Sequence, residues 1–287
     1  MTVAPAAPVA ARRAAAGHYR FPQAARMEWI KLRSLRSAWW TLLVTMAGTV
    51  GIGIVVLASY TPSHFERMSA AGRASFDPVN MGFIGTIAGM LAIGVLGVLT
   101  MTSEYSSGMI RASLTAIPDR PLFLAAKTAV FGAAALAAGE VAAFANFWAG
   151  EAVLTSAAPH ASLNQPGVLR AVGLTGAFLG VIGLIGLGLG AIIRHTGAAI
   201  AAFAGVTFVI PLMLLFAGSR PNAHGFGKYL LPFIAGNSVS AAKPMTCPPG
   251  SRVCPHFLSA WAGLGVTCLY AAAALGIGAL LLIRRDA

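Results

Sequence analysis

Between two long apolar runs, residues 102–127 read TSEYSSGMIRASLTAIPDRPLFLAAK and carry five charges: Glu104, Arg111, Asp119, Arg120 and Lys127. Two uses of such a stretch are open. Glu104 can accept hydrogen bonds from free backbone amides in a solvated loop, or the stretch can present a surface on which another protein pushes. A passive connector needs only a few polar residues, which favours the second use. Gly108 can close a short turn of helix, and MIRASLTAI has the apolar content of another, ended by Pro118 and Pro121. The expectation is a short helix held at a fixed angle by its two ends.

Few other residues offer chemistry. Glu140 is the one acidic residue deep inside an apolar run. Desolvating a carboxylate there costs several kcal/mol, so a substrate or proton role has to be weighed. Counting from Pro121 places it about 28 Å along a helix, near the far boundary of a bilayer, where it can reach water; that reading is preferred. Cys247 and Cys254 bracket PPGSRV in a non-cytoplasmic loop, where a disulfide is permitted, while Cys268 falls within an apolar run. His256 lies near the pair, but no fourth zinc ligand accompanies it. A G-x-x-x-x-G-K-[ST] phosphate loop, H-E-x-x-H and G-x-S-x-G are all missing from the sequence. GLGLG lies within an apolar run without a preceding strand, so it does not read as a nucleotide loop. No metal or cofactor is expected on this chain, and catalysis by it is disfavoured.

The elements that must position these residues follow from composition. Of 287 residues, 57% are hydrophobic and 10% charged, against roughly a quarter charged in soluble domains. So much apolar surface has to face lipid. The net charge of +12 is spread over the ends of apolar runs, which argues for membrane flanks rather than nucleic acid. Six runs can cross about 30 Å of hydrocarbon: 38–59, 81–101, 121–150, 170–193, 197–217 and 260–283. Residues 1–20 are read as a disordered cytoplasmic tail and 21–287 as a single transmembrane domain, with no cleavable signal peptide. With six spans both termini share one side, which holds thirteen of the twenty basic residues and is therefore cytoplasmic. The 218–259 loop, with four basic and no acidic residues, runs against that rule, but long loops weigh less.

Ahead of the first span, PQAARMEWIKLRSLRSAWW places Arg26, Trp29, Arg33 and Arg36 on one helical face. That stripe suits a helix lying on an anionic membrane surface, or an ordinary basic flank that orients the span. Trp39 and Trp40 suit an interfacial belt. In the fourth span Gly173, Gly176, Gly180, Gly183, Gly186 and Gly190 recur every three or four residues, giving one smooth face for close helix packing. Pro211 is expected to kink or end the fifth span. The fold class is therefore an all-α membrane protein with an interfacial N-terminal helix and a short cytoplasmic helix between spans two and three.

EYSSGMIRASLTAIPDRPLFLAAK resembles the first cytoplasmic loop of type-2 ABC (ATP-binding cassette) exporter permeases. Those carry a Glu, three residues, a Gly, a short helix, a Pro, then a basic residue and a Lys leading into the third span. EWIKLRSLRSAWWTLL is similar to the approach to the first span in actinobacterial-type members, and the six-span layout agrees along almost the whole chain. The resemblance implies a permease subunit in a bacterial plasma membrane, without ATPase activity of its own. It would pair with a second copy or a paralogue and couple to a separate ATPase subunit that binds ATP and magnesium. It also implies that Glu104 and Gly108 form the Glu-x-x-x-Gly element. Ile110 to Ala116, including Leu114, would then be the coupling helix, with Arg111 presenting charge to the ATPase. Met109 stands where a small polar residue is common in the family. A secondary transporter, which usually shows paired broken helices or several buried charges, and a regulatory membrane subunit are the alternatives.

Overall fold

A computed structural model of the protein describes residues 20–34, 36–217, 237–240, 242 and 258–284. Every regular element among them is helical: α1 (Phe21–Ser34), α2 (Arg36–Ala58), α3 (Pro62–Arg67), α4 (Ala70–Ser75), α5 (Pro78–Gly82), α6 (Thr86–Ser106), α7 (Met109–Ala116), α8 (Arg120–Val153), α9 (Val168–Ile193), α10 (Thr196–Ala204), α11 (Ile210–Ala217), α12 (Asn237–Ser240) and α13 (Ala260–Arg284). Six stretches are long and apolar enough to cross a membrane: Trp39–Ala58, Pro78–Ser106, Arg120–Val153, Val168–Ile193, Thr196–Met213 and Ala260–Arg284. This is the architecture of a multi-pass membrane protein. Cys247 and Cys254 lie outside the described residues, as does the tail before Arg20.

The helices run past the ends of the apolar runs. The second span continues through Glu104 to Ser106, so Glu104 sits in the last turns of α6 rather than in a loop. The third begins at Arg120, where the Asp119 carboxylate accepts from Leu122 N at 3.2 Å and Pro121 occupies the first turn. At 34 residues and about 1.5 Å each, α8 is roughly 51 Å long, well beyond the hydrocarbon thickness. Thirteen residues follow Glu140 before α8 ends at Val153, so this carboxylate lies within the helix, half-buried against Gly176 of α9. Pro211 does not end its helix, which continues to Ala217. A single π-helical turn, Gly205–Val209, precedes it, with Ile210 N donating to Gly205 O.

At the centre α9 packs against α6, α8, α10 and α13. Its glycines do not serve one neighbour. A methyl group on Gly176 would come within 2.7 Å of the Glu140 Cα, and one on Gly180 within 2.9 Å of the Leu136 Cα, both on α8. Gly183 faces Phe131 of α8 and Ile93 of α6, Gly186 and Gly190 abut the α6 backbone at Gly94 and Val98, and Gly188 abuts Ala274 of α13. Gly173 has no heavy atom within 4 Å of such a methyl. The mismatch with a single stripe is geometric: at 3.6 residues per turn, steps of three and four drift around the axis.

The C-terminal carbonyls of α13 accept from two guanidinium groups at the same end as Glu104. Arg120 Nη1 donates to Leu282 O at 2.7 Å and Ile283 O at 3.2 Å, and Arg194 Nη2 to Leu281 O at 3.2 Å. Arg194 ends α9 in the left-handed conformation (φ 61°), with its guanidinium 5.0 Å from the Tyr105 ring centroid. Gly176→Ala should destabilise the folded protein by about 1–3 kcal/mol through overpacking. Gly173→Ala should be neutral or gain up to about 1 kcal/mol from helix propensity. Paired unfolding curves in one detergent check this, and equal effects would refute the division of the glycines.

Candidate functional site

The charged stretch is drawn inward at its root. Glu104 is 3% exposed, and its Oε1 accepts from Lys127 Nζ at 2.7 Å and from Lys31 Nζ at 3.0 Å. Glu28 on α1 completes the ring, with Oε2 accepting from Lys127 Nζ at 2.7 Å and Oε1 from Lys31 Nζ at 2.9 Å. Lys31 also donates to Ser113 Oγ of α7 at 2.9 Å. Two carboxylates and two ammonium groups thus cancel in charge while joining α1, α6, α7 and α8. The Phe123 ring, itself fully buried, lies 5.3 Å from Lys127 Nζ and 5.6 Å from Lys31 Nζ, within cation–π range.

Each member is carried by a local reason. On α1 the buried positions Ala24, Glu28 and Leu32 repeat every four residues, forming one stripe packed on α8, and Lys31 sits beside it. Trp29, Arg26 and Arg33 point away from that stripe and are exposed. Lys127 lies two turns into α8, on its buried face with Phe123, Leu124 and Phe131. Ser113 is held by the turn at Gly108, which takes up φ 70° so that α7 can start one residue later. A side chain with a β-carbon is disfavoured there.

Of the residues expected to meet a partner, the structure turns some inward. Ile110 is 3% exposed and belongs to the main core, and Leu114 packs partly against it. Ser113 and Ile110 anchor α7, whereas Met109, Arg111, Ala112 and Thr115 form its exposed face. Glu104 is an internal ion-pair residue, not a surface one. Sequence reasoning missed Glu28 and Lys31. The signal was a charged residue at the middle of the Ala24–Leu32 stripe, in a helix otherwise read from its basic face.

A cavity of about 330 Å³ opens beside the network, lined in part by Lys31, Thr100, Glu104, Met109, Lys127 and Phe131. Glu104 Oε2 is buried and accepts no hydrogen bond among the described residues. Farther along α8, buried Asn146 donates to Gly82 O at 3.1 Å and ties α8 to α5. Glu140 makes no hydrogen bond or ion pair among the described residues, and Cys268 is exposed on α13. Among the described residues no three His, Cys, Asp or Glu side chains gather as a metal site would require. No protein-family model and no curated protein matches the chain.

Burial opposes the charge on Lys31, but the hydrogen bond to Glu28 and the fields of Glu28 and Glu104 outweigh it and hold the ammonium above the ordinary lysine value of 10.5. A raised folded-state value means that the stabilisation is complete below 10.5 and is lost as pH rises through the folded value. Alkaline unfolding should therefore show a fall in stability above pH 10.5 that Lys31→Gln lacks. Glu104→Ala, which leaves buried Lys127 and half-buried Lys31 facing one carboxylate, should destabilise by about 3–5 kcal/mol. Denaturant curves of both variants check these expectations, and a Glu104→Ala cost under about 1 kcal/mol would refute the network's structural role.

Proposed function

We propose that the chain is the membrane-spanning permease subunit of a type-2 ABC exporter, driven by ATP hydrolysis on a separate ATPase subunit. The observation that carries this reading is the two-sidedness of α7. One side is anchored by Ile110 and by the Ser113 contact to Lys31, while Met109, Arg111, Ala112 and Thr115 stand exposed. A short helix held that way suits a partner's groove, and its root at Glu104 is tied to the start of α8 and to α1. ATP binding elsewhere can bias a membrane path only through a contact that differs between two states. On this reading the end of the bundle bearing α7 is cytoplasmic, as are both termini, in the plasma membrane of a bacterium. A second copy or a paralogue completes the path, and ATP and magnesium reside on the ATPase.

A photoreactive residue at Thr115 should capture an ABC ATPase in the native host. Arg111→Ala should weaken that association about five- to tenfold, as loss of an interfacial arginine commonly does, with stability changed by less than about 0.5 kcal/mol. Accessibility of a cysteine at Ser107 only from outside the cell would sink the proposal, because the ATPase is cytoplasmic.

A further inference from the structure

A second concavity lies on the outer face of the bundle, between α1–α2 and α8, with a volume of about 890 Å³. Trp29, Trp39 and Trp40 line one end, and Leu43, Met46 and Val50 continue along α2. The α8 wall is Ala133, Ala134, Ala137, Ala138 and Val141. Methyl side chains at four of these five positions leave unfilled the space that larger residues would close. From Trp39 to Val50 the groove runs about 16 Å at 1.5 Å per residue, matching half of a hydrocarbon core of about 30 Å. Its tryptophans sit where the chain meets α1, at the level aromatic belts occupy.

The face of α1 that carries Trp29 is cationic. Arg26 and Arg33 stand three residues before and four after Trp29, so they share its face of α1, and both are exposed. Neither pairs with a carboxylate among the described residues. The Trp39 indole donates to Arg33 O at 3.3 Å, turning its polar edge toward α1. An apolar trough one leaflet deep, closed at one end by indoles beside a helix face bearing two exposed arginines, suits an anionic phospholipid: acyl chains along α2 and α8, phosphodiester toward Arg26 and Arg33.

We infer that this groove is a binding site for an anionic phospholipid of the leaflet on the side of α1, resident there and wedging α1 against α2 and α8. The inference needs only the membrane-spanning fold and stands or falls separately from the ATPase partner. A second copy of the chain is the competing occupant. It would have to cover exposed arginines with arginines across a two-fold axis, which like-charge repulsion disfavours.

The test uses the full chain in nanodiscs, carrying Trp148→Phe and Trp261→Phe so that only the three groove tryptophans report. Brominated phosphatidylglycerol should quench their fluorescence with a higher apparent association than brominated phosphatidylcholine at equal mole fraction. Arg26→Gln and Arg33→Gln should each reduce that preference about fivefold, the equivalent of about 1 kcal/mol per basic residue near a headgroup. Ala137→Phe, at an exposed position on the groove wall, should abolish it by filling the trough. A benzophenone amino acid in place of Leu43 should give a phospholipid adduct. Equal quenching by the two lipids, a preference that survives Ala137→Phe, or a cross-linked protein dimer in place of the lipid adduct would each overturn the assignment.

Discussion

A ring of four charges, three buried and the fourth, Lys31, half-buried, ties one end of this fold together. Glu28, Lys31, Glu104 and Lys127 come from three helices, and each would be prohibitively costly to bury alone. Together they are neutral, and each ammonium has two carboxylate partners at 2.7–3.0 Å. The arrangement exists only when α1, the end of α6 and the start of α8 are all in place. Ser113 extends the requirement to α7 through its contact with Lys31. An N-terminal helix that would otherwise have only a surface to lie on is thereby given one position and one rotation.

The rest of the bundle is graded around that end. Helix α9 is welded to its neighbours by glycines that let backbones touch, notably at Gly97 against Gly183 and Gly186 against Gly94. Helices α2 and α13 instead leave long apolar faces open, with Val55, Leu269 and Leu280 exposed. In lipid there is no hydrophobic gain from bringing two apolar helices together, so shape has to do it. Where shape is close, as along α9, the backbones come into contact. Where it is not, as between α2 and the alanines of α8, a groove remains.

How much of this was legible beforehand depended on the range of the interaction. The six spans follow from run length and composition alone, and they appear within a few residues of expectation. Their ends shift because a helix does not stop where its apolar run stops: Glu104, Arg120 and Glu151 are all helical. Gly108 and Pro118 correctly bracketed α7, since a left-handed turn and a missing N–H act locally. Glu104 and Lys127 stood out as charges at the edges of spans, yet nothing local said that they face each other. Their partners lie 73 to 99 residues away on α1. There the basic stripe of Arg26, Trp29 and Arg33 was visible, while Glu28, one residue from Trp29, was hidden by the same helical period that buries it.

Why an ionic contact rather than an apolar one should hold α1 follows from where it lies. At a membrane boundary an apolar face is satisfied equally by lipid and by protein, so it does not choose between lying loose and docking. Charged groups choose, because lipid tails offer them no partner. Replacing a buried ion pair with apolar residues often changes stability little, but separating its partners is costly. The network therefore resists partial displacement: α1, the root of α7 and the start of α8 are favoured to shift as a unit. Trp29 rides on α1 one residue from Glu28, and it forms a wall of the groove on the outer face. Any displacement of α7 would act, through Ser113 and Lys31, on α1 and so on the wall of that groove.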